Sequence, residues 1–175
     1  QMLSESDNAT AELLVKELGL QVGGAGTFAA GAAAVTRVLA EAGFDVAGTA
    51  VVDGSGLASA NALDCGLLMA LLEHPPTADA VREGLAVAGE SGTLAERWQD
   101  TALAGRVRAK TGTLNQVTAL AGVAATDAGG EVTFALVVNV PEPERIQLET
   151  IAAQQRLAEL LVAHPDRPDL SAFAP

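Results

Sequence analysis

The later part of this chain changes its hydrophobic period from helical to two, and that switch limits the fold more than any other feature. Arg106 to Lys110 alternates Val107 and Ala109 with charged neighbours. Val117 to Ala125 and Val132 to Asn139 are longer β-prone runs, joined through Asp127-Ala128-Gly129-Gly130. Two apolar runs with a short Gly-rich link predict a hairpin, and the run before them makes a three-strand meander. Pro141 and Pro143 end it. Ile146 to Val162 then predicts a last helix, with Leu148, Ile151, Ala152, Leu160 and Leu161 on one buried face.

Ahead of the meander the signals are helical. Ala9 to Leu18 carries Leu13, Leu14 and Leu18 at helical spacing, with Asp7 or Asn8 as its cap and Gly19 as its stop. Gly23 to Gly26 reads as a loop. Thr27 caps a second helix with apolar positions Phe28, Val35, Val38 and Leu39, closed by Gly43. Thr49 to Val52 is short and β-prone and runs into the turn Asp53-Gly54-Ser55-Gly56. Asn61 is the expected cap of a third helix through Leu72, broken at Pro75-Pro76, and Thr77 to Val87 reads as a fourth. Helices, then a meander, then a helix indicate an α+β fold with helices on an antiparallel sheet. The helical region spans about 1–104, and the sheet with its closing helix about 105–163. Three strands are few for so many helices, which suggests further strands upstream of Gln1. The echo of Ser91-Gly-Thr-Leu94 in Thr111-Gly-Thr-Leu114 is read as coincidence, and no internal repeat is evident.

Composition narrows the function. Alanine occupies 36 of 175 positions, so close helix approach is expected rather than thick layers of bulky side chains. The formal charge of −12 repels phosphate backbones and anionic lipid, which argues against nucleic acid as a partner. The run from Leu18 to Thr36 lacks charge but consists mostly of Gly and Ala, and reads as a loop followed by a soluble helix. Cys65 is the only cysteine, so no internal disulfide can form, and no Cys/His cluster has metal-ligand spacing. Neither a metal nor a cofactor is expected. His74 and His164 each precede a proline at the end of an apolar run, as helix-terminal residues do. Gly24-Ala-Gly26-x-x-Ala29 fits a dinucleotide fingerprint, with Asp45 at ribose distance, but the strand that must precede such a loop is absent.

Two other triplets carry more chemistry. Ser6-Asp7-Asn8 stands just before a helix, and Lys110-Thr111-Gly112-Thr113 ends the first meander strand. Only two lysines occur in the chain, Lys16 and Lys110, so a lysine in this place is notable. Ser-x-Asn with Lys-Thr-Gly makes two of the three signature elements of the serine penicillin-recognising enzymes. Val51-Val-Asp-Gly-Ser-Gly-Leu57, the stretch from Gly89-Glu-Ser-Gly-Thr-Leu94 to Arg106-Val-Arg-Ala-Lys-Thr-Gly-Thr-Leu114, and Leu120-Ala-Gly122 closely resemble the class C low-molecular-mass penicillin-binding proteins. These are D-alanyl-D-alanine carboxypeptidases and endopeptidases of the peptidoglycan layer. The likeness runs from about Met2 to the last helix.

The resemblance implies a penicillin-binding/β-lactamase-like transpeptidase fold, of which this chain is the C-terminal portion of one domain. The family's third element, Ser-x-x-Lys, holds the nucleophile and does not occur here: Leu13 and Val107 stand three positions before the two lysines. In the family that motif lies far upstream, with the first sheet strands, so one absent N-terminal segment accounts for both deficits. By resemblance, Ser6 relays a proton between the upstream lysine and the departing D-alanine nitrogen, and Asn8 holds that lysine and a substrate carbonyl. Asp7 is expected to cap rather than act. Lys110 attracts the substrate's terminal carboxylate, and Thr111 and Thr113 hydrogen-bond it. Gly112 lets the peptide lie on the strand edge, the Thr113 N–H is an oxyanion donor, and Leu114 borders the acyl side. Asp53 and Ser55 are read as a structural turn ahead of any role in the cleft.

The implied partners are a peptidoglycan peptide ending in D-Ala-D-Ala, β-lactams, and the N-terminal portion of the same protein, in an extracytoplasmic location. Two alternatives stand beside this reading. A class A-type β-lactamase fragment suits the Ser6 to Lys110 spacing but needs a deacylating Glu-x-x-Leu-Asn that the region around Glu41 lacks. A non-catalytic penicillin-binding-like module is the other.

Overall fold

In the computed structural model the described residues are 1–164, and the chain divides into two compact units, Gln1–Gly84 and a second beginning at Leu85. The first unit is helical. Helix α1 (Met2–Glu5) ends at Ser6, and Asp7 caps helix α2 (Asn8–Gly23). Asp7 accepts from the Ala9 and Thr10 N–H groups and, at 2.7 Å, from the Thr10 hydroxyl, which satisfies donors that a helix start leaves open. Thr27 caps helix α3 (Phe28–Glu41) as expected, by accepting from the Ala30 N–H at 3.2 Å.

Gly19 does not stop α2, which continues to Gly23 and ends at Gly24 with φ 76°. Gly19 is instead where α2 and α3 touch: a Cβ there would lie 2.6 Å from the Gly31 nitrogen. The helices meet through glycine, alanine and Val15 rather than through leucine. Leu13 and Leu14, apolar positions at helical spacing, are accordingly exposed (65% and 53%), and so is Phe28 (48%). Phe28 carries the Lys16 ammonium over its ring at 3.8 Å. The uncharged run from Leu18 to Thr36 spans the α2–α3 bend of 73°, and no single described helix is long and apolar enough to cross a membrane.

Asn61 is not a helix cap. Its side chain is committed to the preceding turn, accepting from Val52 N–H at 2.8 Å and donating to Asp53 and the Ala58 carbonyl, both at 2.9 Å. Asp64 caps helix α4 (Cys65–Glu73) in its place through the Leu67 N–H. Thr49 to Val52 contributes a single antiparallel bridge, Ala50 to Ala62. Helix α5 (Ala78–Gly84) is shorter than predicted.

In the second unit the sheet has four strands in sequential antiparallel order: β1 (Ala86–Val87), β2 (Val107–Thr113), β3 (Val117–Ala125) and β4 (Glu131–Asn139). The meander is present as expected, and β1 adds a strand where a helix end was predicted. The β3–β4 hairpin turns at Gly129, φ 81°. Leu94, Leu103, Val107 and Leu120 are wholly buried in one core cluster, the last two contributed by β2 and β3; each contributes roughly 1.5–3 kcal/mol of burial. Helix α6 (Leu148–Val162) covers β3 and β4 with Gln154, Ala158 and Val162. Leu148, expected inside, is 80% exposed. The buried stripe is turned because its first member, Gln154, enters the core on hydrogen bonds.

Candidate active site

The sequence-predicted residues fall into both units, Ser6 and Asn8 in the first and Lys110 to Leu114 in the second. Ser6 is half-buried and left-handed (φ 55°, ψ 46°), a region that non-glycine residues enter at a cost of about 1 kcal/mol or more. This residue links α1 to the Asp7 cap that starts α2. Asn8 is the first residue of α2 and is exposed. Asp7 has its carboxyl held below the usual range, first by the Thr10 hydroxyl and then by the Thr10 N–H. It caps, as expected.

The turn Asp53 to Asn61 is bound on both sides. Glu12, on α2 one turn beyond Asn8, accepts from the Gly54 and Ser55 N–H groups at 3.0 Å and from the Ser55 hydroxyl at 2.5 Å. Asp53 accepts from the Gly56 and Ala58 N–H groups at 2.7 Å and from Asn61. Burial raises the Asp53 pKa, but these donors outweigh it and the net shift is downward. These hydrogen bonds of Asp53 and Ser55 all serve the turn, which favours the structural reading.

Strand β2 carries the second cluster. The Val107 carbonyl accepts from Ala88 N–H at 2.9 Å, so alternation turns the N–H and C=O groups of Val107, Ala109, Thr111 and Thr113 away from β3. Strand β1 pairs only with Arg108 and Ala109. Beyond Ala109 that edge of β2 carries no strand among the described residues. Lys110 lies on the face opposite Val107, Ala109 and Thr111. It is half-buried and donates from Nζ to the Thr111 carbonyl at 2.7 Å. Burial lowers its pKa from 10.5 because it penalises the charged form.

Thr111 donates its hydroxyl to Thr93 Oγ1 at 2.8 Å. Gly112 is exposed, and a Cβ there would meet only Ala119 Cβ, at 3.9 Å. This chain's own packing therefore does not require the glycine. Thr113 is exposed and stands directly opposite Thr118, with 3.1 Å between hydroxyl oxygens. Leu114, 36% exposed, closes the strand through its N–H to Val117.

Glu12, Thr93, Thr118 and Gln154 were not singled out from the sequence. Thr93 lies in the Ser91-Gly-Thr-Leu94 echo and in the Gly89 to Leu94 stretch of the resemblance, neither of which gives it a role. Its contact with Thr111 spans eighteen positions and follows no local period. Among the described residues no group of three or more His, Cys, Asp or Glu could hold a metal ion.

A family model described as D-Ala-D-Ala carboxypeptidase 3 (S13) matches residues 1–160. The chain is 41% identical over 165 residues to a D-alanyl-D-alanine carboxypeptidase of Actinomadura sp. (strain R39), covering 88% of this chain and 30% of that protein. It is 37% identical over 166 residues to carboxypeptidase DacB of Mycolicibacterium smegmatis, covering 89% of this chain and 36% of the relative. The chain thus spans about a third of the length of these curated relatives. Penicillin binding protein 4 of Haemophilus influenzae, solved in complex with a β-lactam, superposes with a TM-score of 0.79 at 25% identity, over 93% of this chain and 40% of that one.

Proposed function

The chain belongs to the D-Ala-D-Ala carboxypeptidase 3 (S13) family, and on that premise we propose that it supplies the C-terminal part of a serine D-Ala-D-Ala carboxypeptidase/endopeptidase. The substrate is a peptidoglycan stem peptide ending in D-Ala-D-Ala, and β-lactams acylate the same serine. That serine and its lysine, in a Ser-x-x-Lys motif, come from an upstream segment, and the whole acts outside the cytoplasm. This chain by itself is inactive.

The observation that carries the reading is the open edge of β2 at Lys110-Thr111-Gly112-Thr113, in a chain matched by that family over residues 1–160. An extended peptide adds to such an edge as a further strand. The outward Thr113 N–H suits one oxyanion donor, and losing one such donor typically raises a barrier by about 2.7–4 kcal/mol. The Thr111 and Thr113 hydroxyls take the terminal carboxylate, and Lys110 sets a positive field for it in a chain of net charge −12. Gly112 keeps the edge free of side chain, and Leu114 borders the acyl portion. Ser6 passes a proton from the upstream lysine to the leaving amine, a task suited to a hydroxyl that both donates and accepts. Asn8 donates to the substrate carbonyl and orients that lysine. The β-lactamase reading has the Ser6 to Lys110 spacing and the non-catalytic one the missing Ser-x-x-Lys, and the family match over residues 1–160 outweighs both.

The test is D-alanine release from a synthetic stem peptide by the longer protein that includes the upstream segment. Release that disappears in Lys110→Ala is expected; no release and no reaction with a penicillin would overturn the proposal.

A further inference from the structure

Behind the exposed Thr113 hydroxyl a hydrogen-bond chain runs into the core of the second unit. Gln154 of α6, 1% exposed, donates from Nε2 to Thr118 Oγ1 at 2.9 Å. Thr118, 0% exposed, lies within 3.1 Å of Thr113 Oγ1 and 3.3 Å of the Gly112 carbonyl. On the far side, Arg97 Nη2 lies 3.4 Å from Gln154 Oε1, and its guanidinium stacks on Trp98 at 4.5 Å.

The direction of this chain follows from which groups can donate. A guanidinium only donates, so it faces the Gln154 oxygen and turns the amide NH2 toward Thr118. Thr118 therefore receives a proton, and its own proton is left for Gly112 O or for Thr113. A carboxylate outside the strand only accepts, so a Thr113 hydroxyl that donates to it turns lone pairs toward Thr118, and the 3.1 Å contact then holds a proton only if Thr118 donates it. With Gln154 as a fixed donor behind, Thr118 can turn its proton forward without losing a partner. The end of the relay is then a hydroxyl whose proton points out of the protein.

We infer that Gln154, acting through Thr118, is a positioning residue that sets the Thr113 hydroxyl as a donor to the carboxylate of the bound peptide or β-lactam. This rests on the function proposed above. A hydrophobic residue at 154 would fill the same space and leave Thr113 free to point its proton inward.

The test compares acylation of the full protein by a penicillin with that by its methyl ester, which lacks the negative charge. Gln154→Glu reverses the relay, since a carboxylate beside Arg97 draws the Thr118 proton backward and leaves Thr118 an acceptor for the Thr113 proton. Losing a hydrogen bond to a charged group corresponds to roughly tenfold or more, so this variant loses about tenfold in the acid-to-ester rate ratio while its ester rate stays within about twofold of the wild type. Thr118→Val, close in shape and suited to the strand, leaves Thr113 no inward acceptor there, so adding it to Gln154→Glu restores the ratio. An unchanged ratio in Gln154→Glu, no recovery in the double variant, or parallel loss of both rates overturns the inference and leaves the peptidase reading intact. A wild-type protein that reacts with neither compound overturns both.

Discussion

Glu12 and Ser55 are joined by a 2.5 Å hydrogen bond in which the Ser55 hydroxyl donates to the carboxylate, while the Gly54 and Ser55 N–H groups donate to the same side chain. These donors, the hydroxyl first, hold the Glu12 pKa below its ordinary 4.5, and Asp53 lies below 3.8 for related reasons. A carboxyl depressed on folding contributes stability that is complete above its unfolded value and lost as pH falls through the folded one. Melting temperature should therefore drop as pH goes below about 4.5. Glu12→Gln should be less stable at neutral pH and show a weaker acid dependence. Identical pH slopes for the two proteins would contradict the clamp.

Helices α2 and α3 touch where neither Gly19 nor Gly31 has a side chain. In an ordinary helix interior Gly→Ala gains up to about 1 kcal/mol. Here a Cβ at Gly31 would come within 2.6 Å of Val15 Cγ1, and one at Gly19 within 2.9 Å of the Ala25 carbonyl. Overpacking costs typically about 1–3 kcal/mol, so the crowding term wins and either substitution should lower stability in urea melts. A stabilised Gly31→Ala protein would show that the helices do not meet this closely.

Features with a local signature were legible in the sequence, and features held by tertiary contacts were not. The hairpin, the Thr27 and Asp7 caps and the extended Lys-Thr-Gly segment were legible because each has a local signature of period or capping. Strand β1 was not, since two residues have no period and follow a helical run. Gly19 looked like a stop because its reason for being there, Gly31, lies twelve residues away. The α6 face was misplaced because Gln154 is buried by bonds to Thr118 and Arg97 rather than by apolarity. The partners of Thr111 and Thr113 were invisible for the same reason: tertiary hydrogen bonds leave no spacing.

Lys110 should set an alkaline limb. Burial brings its pKa below 10.5, so its charge is lost at a lower pH than that of a free lysine. Affinity for carboxylate-bearing ligands should weaken along a limb below pH 10.5, and Lys110→Arg should move that limb out of range by keeping the charge. A limb that persists in Lys110→Arg would assign it to another group.

Thr93 gives the Thr111 hydroxyl its acceptor at 2.8 Å. Thr93→Val removes that acceptor, and a hydrogen bond of about 1 kcal/mol corresponds to roughly fivefold. The Thr111 proton, no longer committed to Thr93, is then free for the carboxylate of the D-Ala-D-Ala peptide, so KM should fall by up to about that factor with little change in kcat, and Thr93→Ser should restore the wild-type value. A kcat effect of the same size with KM unchanged would place Thr93 elsewhere in the reaction.

The proposed division of labour gives these 175 residues the Ser-x-Asn and Lys-Thr-Gly elements and places the attacking serine upstream. Intact-mass spectrometry after exposure to a penicillin measures it directly. The longer protein should gain the mass of one penicillin, mapped to the serine of an upstream Ser-x-x-Lys, while the 175-residue chain gains none. A covalent adduct on the shorter chain, or a longer protein that stays unmodified, would contradict it.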